Sequence, residues 1–427
     1  MKEAKSFSIS KHVVFEAWQR VKANQGAAGI DRQTIEAFES NLKDNLYKIW
    51  NRMSSGSYMP PPVRLVEIPK KDGGGVRPLG IPTVSDRIAQ MVIVLMIEPT
   101  LDVIYHEDSY GYRRSKSAHQ AIEQARKRCW QYDWVLDLDI KAFFDSIDHN
   151  LLMKAFRCHI NCKWIELYIN RWLVVPYQTM KGECIERTKG VPQGSIIGPV
   201  LSNLFLHYVF DEWMKRHDSM IPFERYADDA ICHCATLQQA KSLKLALQQR
   251  FLNCKLEMHE EKTKIVYCKR QGKSRKYDVI QFDFLGFTFR PRLAKAKNGN
   301  FFASFLPAIS NKAKKRISVT IRRWNLHLWT SKDLSELAEI INPKLQGWLN
   351  YYGKFYKTEM YPLLKRLNYR LARWCMQKFR KLRYHKRRAW HYLGRFASEH
   401  PDLFVHWRYG LRPRKTLESR QYEIEIG

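Results

Sequence analysis

RYADDAICHCAT (residues 225–236) sets two acids, Asp228 and Asp229, side by side between runs that read as buried strand. In extended backbone, neighbouring side chains point to opposite faces, so adjacent acids can serve one site only where the chain turns. The stretch therefore reads as two strands, PFERY and AICHCAT, meeting at a hairpin tip that carries both carboxylates. Isolated buried carboxylates are costly and a pair repels, so unless they protonate the physical remedy is a bound cation. Hard oxygen donors with no compensating His or Cys ligand select magnesium. A purely structural alternative pairs the acids with Arg225 or Lys141, and the local stretch leaves the two readings level.

Working outward, WVLDLDIKAFFDSIDH (134–149) opens as an apolar strand that ends near Asp139, with a helix expected from about Asn150. Asp139 is the third acid that a pair of metal ions requires. Two Mg2+ ions roughly 3.5–4 Å apart suit nucleotidyl transfer, activating a hydroxyl and stabilising the leaving oxygen. Upstream, KDGGGVRPLGIP (71–82) is a Gly-rich turn between strand-like runs, a basic β-hairpin, and Ser85 is expected to cap a helix that Pro99 stops. TKGVPQGS (188–195) is a loop leading into an apolar helix, and KTKIVYC with FDFLGFTF forms a further expected strand pair. Beyond Ser310 only helical spacing remains: Ile317, Ile321, Trp324 and Leu328, then Leu334, Leu337 and Ile341. From about residue 373 the chain carries QKFRKLRYHKRRAWHYLGRF, a basic run broken by aromatics that suits phosphate contact.

The chain's 427 residues, 45% of them hydrophobic, allow two or three domains with real cores. Its formal charge of +31 is too large for an ordinary metabolic enzyme and implies a polyanionic partner. Residues 291–427 hold 30 basic against 9 acidic residues, so the last third carries +21 of that excess. Nine cysteines without paired C-x-x-C spacing argue against disulfides or a zinc site and for a reducing cytoplasm. Cys158, His159 and Cys162, and the pair Cys232 and Cys234, read as packing residues. The start lacks a signal peptide's apolar segment, and Ile88–Ile97 is too short to span a bilayer, so a soluble, cytoplasmic protein is expected.

Taken together, these segments resemble a group II intron-encoded reverse transcriptase/maturase. The resemblance rests on Tyr226-Ala227-Asp228-Asp229 and, in order, on VKANQGAAGID (21–31), EIPKKDGGGVRPLGIPTVSDR (67–87), EDSYGYRRSKSAHQAI (107–122), DLDIKAFFDSIDH (137–149), VPQGSIIGPVLSNLFLHY (191–208), EEKTKI (260–265), FDFLGFTF (282–289) and GWLNYYGKF (347–355). It implies a right-hand polymerase, α/β plus all-α: fingers and palm over 1–305, a helical thumb over 306–372, and a basic, DNA-binding-like helical region over 373–427. Asp139, Asp228 and Asp229 are implied as catalytic acids, and Asp139, Ile140, Asp228 and Asp229 as the metal set for two Mg2+ ions. The implied nucleotide contacts are Lys70, Arg77, Phe143, Gln193, Ala227 and Lys262, with Lys70 and Arg77 gripping the triphosphate and Phe143 acting as steric gate against a 2′-hydroxyl. Gly286 is implied at the primer end. Arg380, Lys381, Arg383, Lys386, Arg387 and Arg388 are implied to hold nucleic acid.

The resemblance further implies an RNA template, a DNA primer or target, deoxynucleoside triphosphates and the intron RNA as partners, with roles in cDNA synthesis, splicing and retrohoming. The paired cysteines of an HNH endonuclease do not occur, so second-strand cleavage is not expected. The chain departs from the family pattern at Arg114-Ser115, Arg32 and Gly198, none of them in the acid triad. Two alternatives keep the scaffold with other roles: a non-catalytic RNA-binding maturase, and a host-adopted reverse transcriptase in repair or defence.

Overall fold

The structure is a computed structural model that describes residues 7–69, 75–268, 277–295 and 298–413. The chain divides into two compact units, residues 1–128 with 132–265, and residues 129–131 with 266–427.

In the first unit, β1 (Val63–Pro69) and β2 (Val76–Ile81) pair antiparallel, from Arg64 opposite Ile81 to Pro69 opposite Val76. This is the expected hairpin, and its tip, with Lys70, lies outside the described residues. A second sheet is built from β3 (Trp134–Leu138), β6 (Phe223–Tyr226), β7 (Asp229–Cys234) and β8 (Lys264–Tyr267), in the order β6-β7-β3-β8. Two short strands, β4 (Tyr177–Gln178) and β5 (Cys184–Ile185), extend the first sheet, with β4 running parallel to β1. β7 is buried along all but its first residue, so Cys232 and Cys234 pack in the sheet as the sequence suggests.

Three local expectations change. Thr83, not Ser85, caps the helix that follows β2, its hydroxyl accepting from the Asp86 amide, and this helix runs over Val84–Ile104 with Pro99 inside it. Proline removes one helical hydrogen bond, but Ile97 and Leu101 on either side are fully buried, and their packing carries the helix past it. KTKIVYC does not pair with FDFLGFTF. Its strand β8 joins the β3 sheet, while β9 (Phe282–Phe284) and β10 (Phe287–Lys295) form their own hairpin, extended by β11 (Phe301–Ile309). The turn Leu285-Gly286 has φ of 51° and 81°, the doubly left-handed pattern of a tight two-residue hairpin.

Beyond Ser310 the second unit's described regular structure is helical. Ser310 caps the Asn311–Arg323 helix, and Asp333 with Glu336 forms a reciprocal capping box on the Leu334–Tyr352 helix. Ile317, Ile321, Leu334, Leu337 and Ile341 are buried as their spacing suggests, whereas Leu328 is exposed. The left-handed turn at Asn325 (φ 47°) redirects the chain, and Leu326 takes the buried place. One hydrophobic cluster runs from Ile309 to Leu411, on both sides of residue 372, and packs Trp374, Trp390 and Trp407 with the leucines of these helices. No helix among the described residues is long and apolar enough to cross a membrane.

Candidate active site and nucleic-acid interface

Tyr226 pairs with Asp229, which leaves Ala227 and Asp228 as a two-residue turn between β6 and β7. The two acids therefore sit on a hairpin tip. Ala227 holds a left-handed φ of 57°, unusual for a residue with a Cβ. Two contacts hold this turn. A Cβ on Gly111 would lie 2.3 Å from the Ala227 amide nitrogen, so the 109–111 backbone lies directly against the tip. Beneath it, the buried guanidinium of Arg225 spends all five donors: on both Asp211 oxygens (2.7 and 2.6 Å), Asn203 Oδ1 (3.0 Å), the Ala227 carbonyl (3.1 Å) and Ser109 Oγ (2.8 Å). Burial raises the Asp211 carboxyl, but the charge and hydrogen bonds of Arg225, aided by His207, outweigh it and hold the group below the ordinary range.

Arg225 is thus committed to Asp211, and Lys141 to Glu257 at 2.9 Å. Neither cation forms an ion pair with Asp228 or Asp229, so the pairing that a structural alternative requires is not made.

β3 lies beside β7 with Leu138 opposite Ala230, so one further step along both strands brings Asp139 to Asp229. A loop fastens this strand end: the Asp139 carbonyl accepts from the His259 amide (2.8 Å), its amide donates to Thr263 Oγ1 (3.3 Å), and Ile140 bridges Met258. The same loop delivers Lys262, whose Nζ stands 3.4 Å from Asp139 Oδ2. Close packing and the charges of Asp228 and Asp139 push the Asp229 carboxyl up to about 6, although its side chain stays open to solvent. Asp228 is raised by burial and by Asp139, against the pull of its own backbone hydrogen bond, Arg77 and Arg225.

Mutually repelling carboxylates of this kind are the donor chemistry for a hard divalent cation. Among the described residues, no three His, Cys, Asp or Glu side chains converge into a finished metal cage.

The exposed Arg77 on β2 is close enough for its charge to act on Asp228. Gln193 is bound to the same hairpin: its carbonyl accepts from the Gly80 amide (2.7 Å), and its side-chain amide reaches the Asp145 carboxylate at 3.3 and 3.4 Å. Gly194 (φ 107°) allows this approach, since a Cβ there would sit 2.5 Å from the Gly80 carbonyl. The loop's far side is fixed by Gln90, whose Oε1 accepts from the Ile196 and Ile197 amides. Gln90 is itself held by Asp86, a buried acid that also accepts from Tyr58 and Trp172 and that burial pushes up to about 6.

Phe143 does not fit the expected gate. It is 2% exposed, packed against Phe144 and Phe205, and has no free face to offer a sugar. Phe144, the next residue, is partly exposed.

Sequence reasoning passed over Tyr112 altogether. It is 46% exposed, holds a left-handed φ of 56°, and feels Asp228 and Arg77: burial and Asp228 raise its hydroxyl, while Arg77 lowers it. The signal available was Gly111-Tyr112 within EDSYGYRR, where a glycine precedes a bulky aromatic. Asp211 had no comparable signal. A π-helical turn over His207–Asp211 sets its direction, and sequence periodicity does not show such a turn.

In the second unit, Gly286 forms the β9–β10 tip with Leu285, whose carbonyl accepts from Tyr351 (2.9 Å). A Cβ on Gly286 would meet the Tyr352 hydroxyl at 3.3 Å. Arg380, Lys381, Arg383, Lys386, Arg387 and Arg388 are all exposed, and none has a carboxylate partner among the described residues.

The family profile "Reverse transcriptase (RNA-dependent DNA polymerase)" matches residues 68–289, and "Group II intron, maturase-specific domain" matches residues 314–393. The chain is 25% identical to the Group II intron-encoded protein LtrA of Lactococcus lactis subsp. cremoris, over 81% of this chain and 69% of the relative. It is 34% identical to Protein YkfC of Escherichia coli (strain K12), over 47% of this chain and 53% of that protein. It is 26% identical to the Putative COX1/OXI3 intron 1 protein of Saccharomyces cerevisiae, over 70% and 36% respectively. With the acid-bearing hairpin inside the first match and most of the helical core inside the second, the chain belongs to the reverse transcriptase family, in the form that carries a group II intron maturase domain.

Proposed function

We propose that this reverse transcriptase and intron maturase extends a primer on an RNA template at Asp139, Asp228 and Asp229, with two Mg2+ ions and deoxynucleoside triphosphates. The observation that carries the reading is the placing of three mutually repelling carboxylates on the adjacent strand ends of β3 and β7, with no ion pair to Asp228 or Asp229 among the described residues. When bound, the ions would supply the positive charge that favours the ionised primer hydroxyl and the departing pyrophosphate.

The protein's own groups position the reactants. Arg77 faces the triphosphate, with Lys70 assigned beside it by the family resemblance. Lys262 sits at the outer carboxylate, placed to hold Asp139 until a cation enters. Ala227 and Ile140 present backbone at the floor, and Gln193 lies between the hairpin and Asp145. The 2′-hydroxyl gate passes from Phe143 to Phe144, because a ring must have a free face to exclude an atom from the sugar.

On this reading the β1–β2 hairpin belongs to the fingers and the β6-β7-β3-β8 sheet to the palm. The helices after Ser310 form the thumb and the basic C-terminal region, and Gly286 meets the primer end. Intron RNA binds through the exposed basic residues of the second unit, and the same activities together support retrohoming.

The test is cDNA synthesis by purified chain with Mg2+, an annealed RNA template and primer, and deoxynucleotides. Parent protein should extend the primer, and Asp228→Ala should not. Equal extension by that variant would overturn the assignment.

A further inference from the structure

We propose that Tyr384 is a stacking platform for an unpaired base of the RNA that the basic C-terminal segment holds. The proposal rests on the reading of this segment as RNA-binding and adds the kind of RNA it selects.

In KFRKLRYHKRRAW (378–390) the apolar residues have places in the fold: Phe379 and Leu382 pack on the helical core, and Trp390 is part of it. Tyr384 does the opposite. Its side chain is 83% exposed, although it is a large aromatic in a segment with a core at hand. It also holds a left-handed φ of 64°, where glycine or asparagine is at ease and a bulky ring is not. The turn around it is firmly bonded: the Leu382 amide donates to Phe379 O (2.9 Å), Arg383 to Arg380 O (3.2 Å) and His385 to Leu382 O (3.0 Å). An ordered backbone thus holds this ring out in water. Neither packing nor solubility accounts for that arrangement, and backbone strain at an ordered surface position points to function.

The surroundings name the ligand. Six cations occur within residues 380–388, all exposed and all without a carboxylate partner among the described residues. The Arg383 guanidinium lies 5.3 Å from the Tyr384 ring centroid. Lys386, Arg387 and Arg388 fill the first turn of the Lys386–Glu399 helix, where the helix dipole favours acids, so their placement costs the helix something. Cations that match phosphates, around a ring that matches a base face, fit a nucleic-acid strand whose bases are open. A duplex fits poorly, because its base faces are already stacked on one another.

The experiment compares binding of one labelled single-stranded RNA, and the same RNA annealed to its complement, by parent chain and variants across a salt series. Tyr384→Ala should weaken single-strand binding about tenfold, the usual loss when one stacked base is released. It should leave duplex binding and the salt slope unchanged. Tyr384→Phe should bind as the parent does, since stacking needs no hydroxyl. Arg387→Ala should weaken both RNAs and lower the single-strand salt slope by about 0.7. Tyr384→Gly should weaken single-strand binding as the alanine variant does while raising Tm, because the strain is relieved. Photocrosslinking of 4-thiouridine RNA should map to Tyr384.

Single-strand affinity unchanged in Tyr384→Ala would overturn the proposal, as would equal loss on both RNAs or a Tyr384→Phe variant as weak as Tyr384→Ala. If the parent chain binds neither RNA, the RNA-binding reading itself fails, which is a different result from a parent that binds and a variant that does not change.

Discussion

At the scale of single residues, the acid pair shows the tension between stability and chemistry. Asp229 holds its proton more tightly folded, at about 6, than at its ordinary 3.8. Its contribution therefore favours the folded chain below pH about 3.8 and is lost as pH climbs through about 6. Asp229→Asn should then raise Tm at pH 7 in metal-free buffer by about 1–2 °C, a modest gain because the side chain is open to solvent. That gain should vanish near pH 4, and cDNA synthesis should be lost throughout. A scanning calorimetry series over pH with no such crossover would show that the acids do not repel. The two phenylalanines divide similarly. Phe143→Ala empties a packed site and should cost about 3–5 kcal/mol of stability, measured by denaturant. Phe144→Ala should cost far less and admit ribonucleotides in a primer-extension assay, and ribonucleotide entry with Phe143→Ala alone would return the gate to that residue. The acids were legible in the sequence because two adjacent carboxylates in strand demand a turn and a counter-charge. The proposed choice of Phe144 over Phe143 as the gate was not legible, because they are the same residue type and only burial tells them apart.

At the scale of elements, the β6–β7 tip depends on parts far from it in sequence. Gly111 touches the Ala227 backbone, and Arg225 links the tip to Ser109, Asn203 and Asp211. Gly111→Ala must push a rigid backbone away, since the new Cβ would sit 2.3 Å from a main-chain nitrogen. The displaced acids should cost roughly a hundredfold in the rate of primer extension, with RNA affinity kept. Arg225→Met leaves Asp211 buried without its guanidinium partner and should lower stability by about 3–5 kcal/mol, seen as an earlier urea midpoint. The strands β1, β2, β3, β6, β7 and β8 were legible from apolar runs and turn residues, whereas the two-residue β4 and β5 were not. The hairpin at Leu285-Gly286 was not, because its turn begins with leucine in a left-handed conformation that local preference would assign to glycine or asparagine. The end of the Val84–Ile104 helix was misplaced for the converse reason: Pro99 is a strong local signal that buried neighbours overrule.

For the whole molecule, charge and texture were visible in the sequence, whereas the division into compact units was not. The change to helical spacing near residue 310 is real, yet the chain passes from one compact unit to the other within β8, some forty residues earlier. Sheet membership decides that point, and a run such as KTKIVYC does not reveal which sheet it will join. The uneven charge has a functional consequence that can be separated from polymerisation. With +21 of the net +31 in residues 291–427, RNA affinity should fall steeply with salt through counterion release, and the second unit should dominate that slope. Replacing Lys386, Arg387 and Arg388 together by alanine should lower the slope by about 2 on single-stranded RNA. Protein-dependent splicing of the intron RNA should fail near physiological salt and recover when salt is lowered, while extension of a short, tightly annealed primer persists. Asp228→Asn should behave in the opposite way, splicing at parent rates and making no cDNA. Splicing lost together with polymerisation in Asp228→Asn, at unchanged RNA affinity, would mean that the acids also serve the maturase reaction and that the two activities cannot be assigned to different parts of the chain.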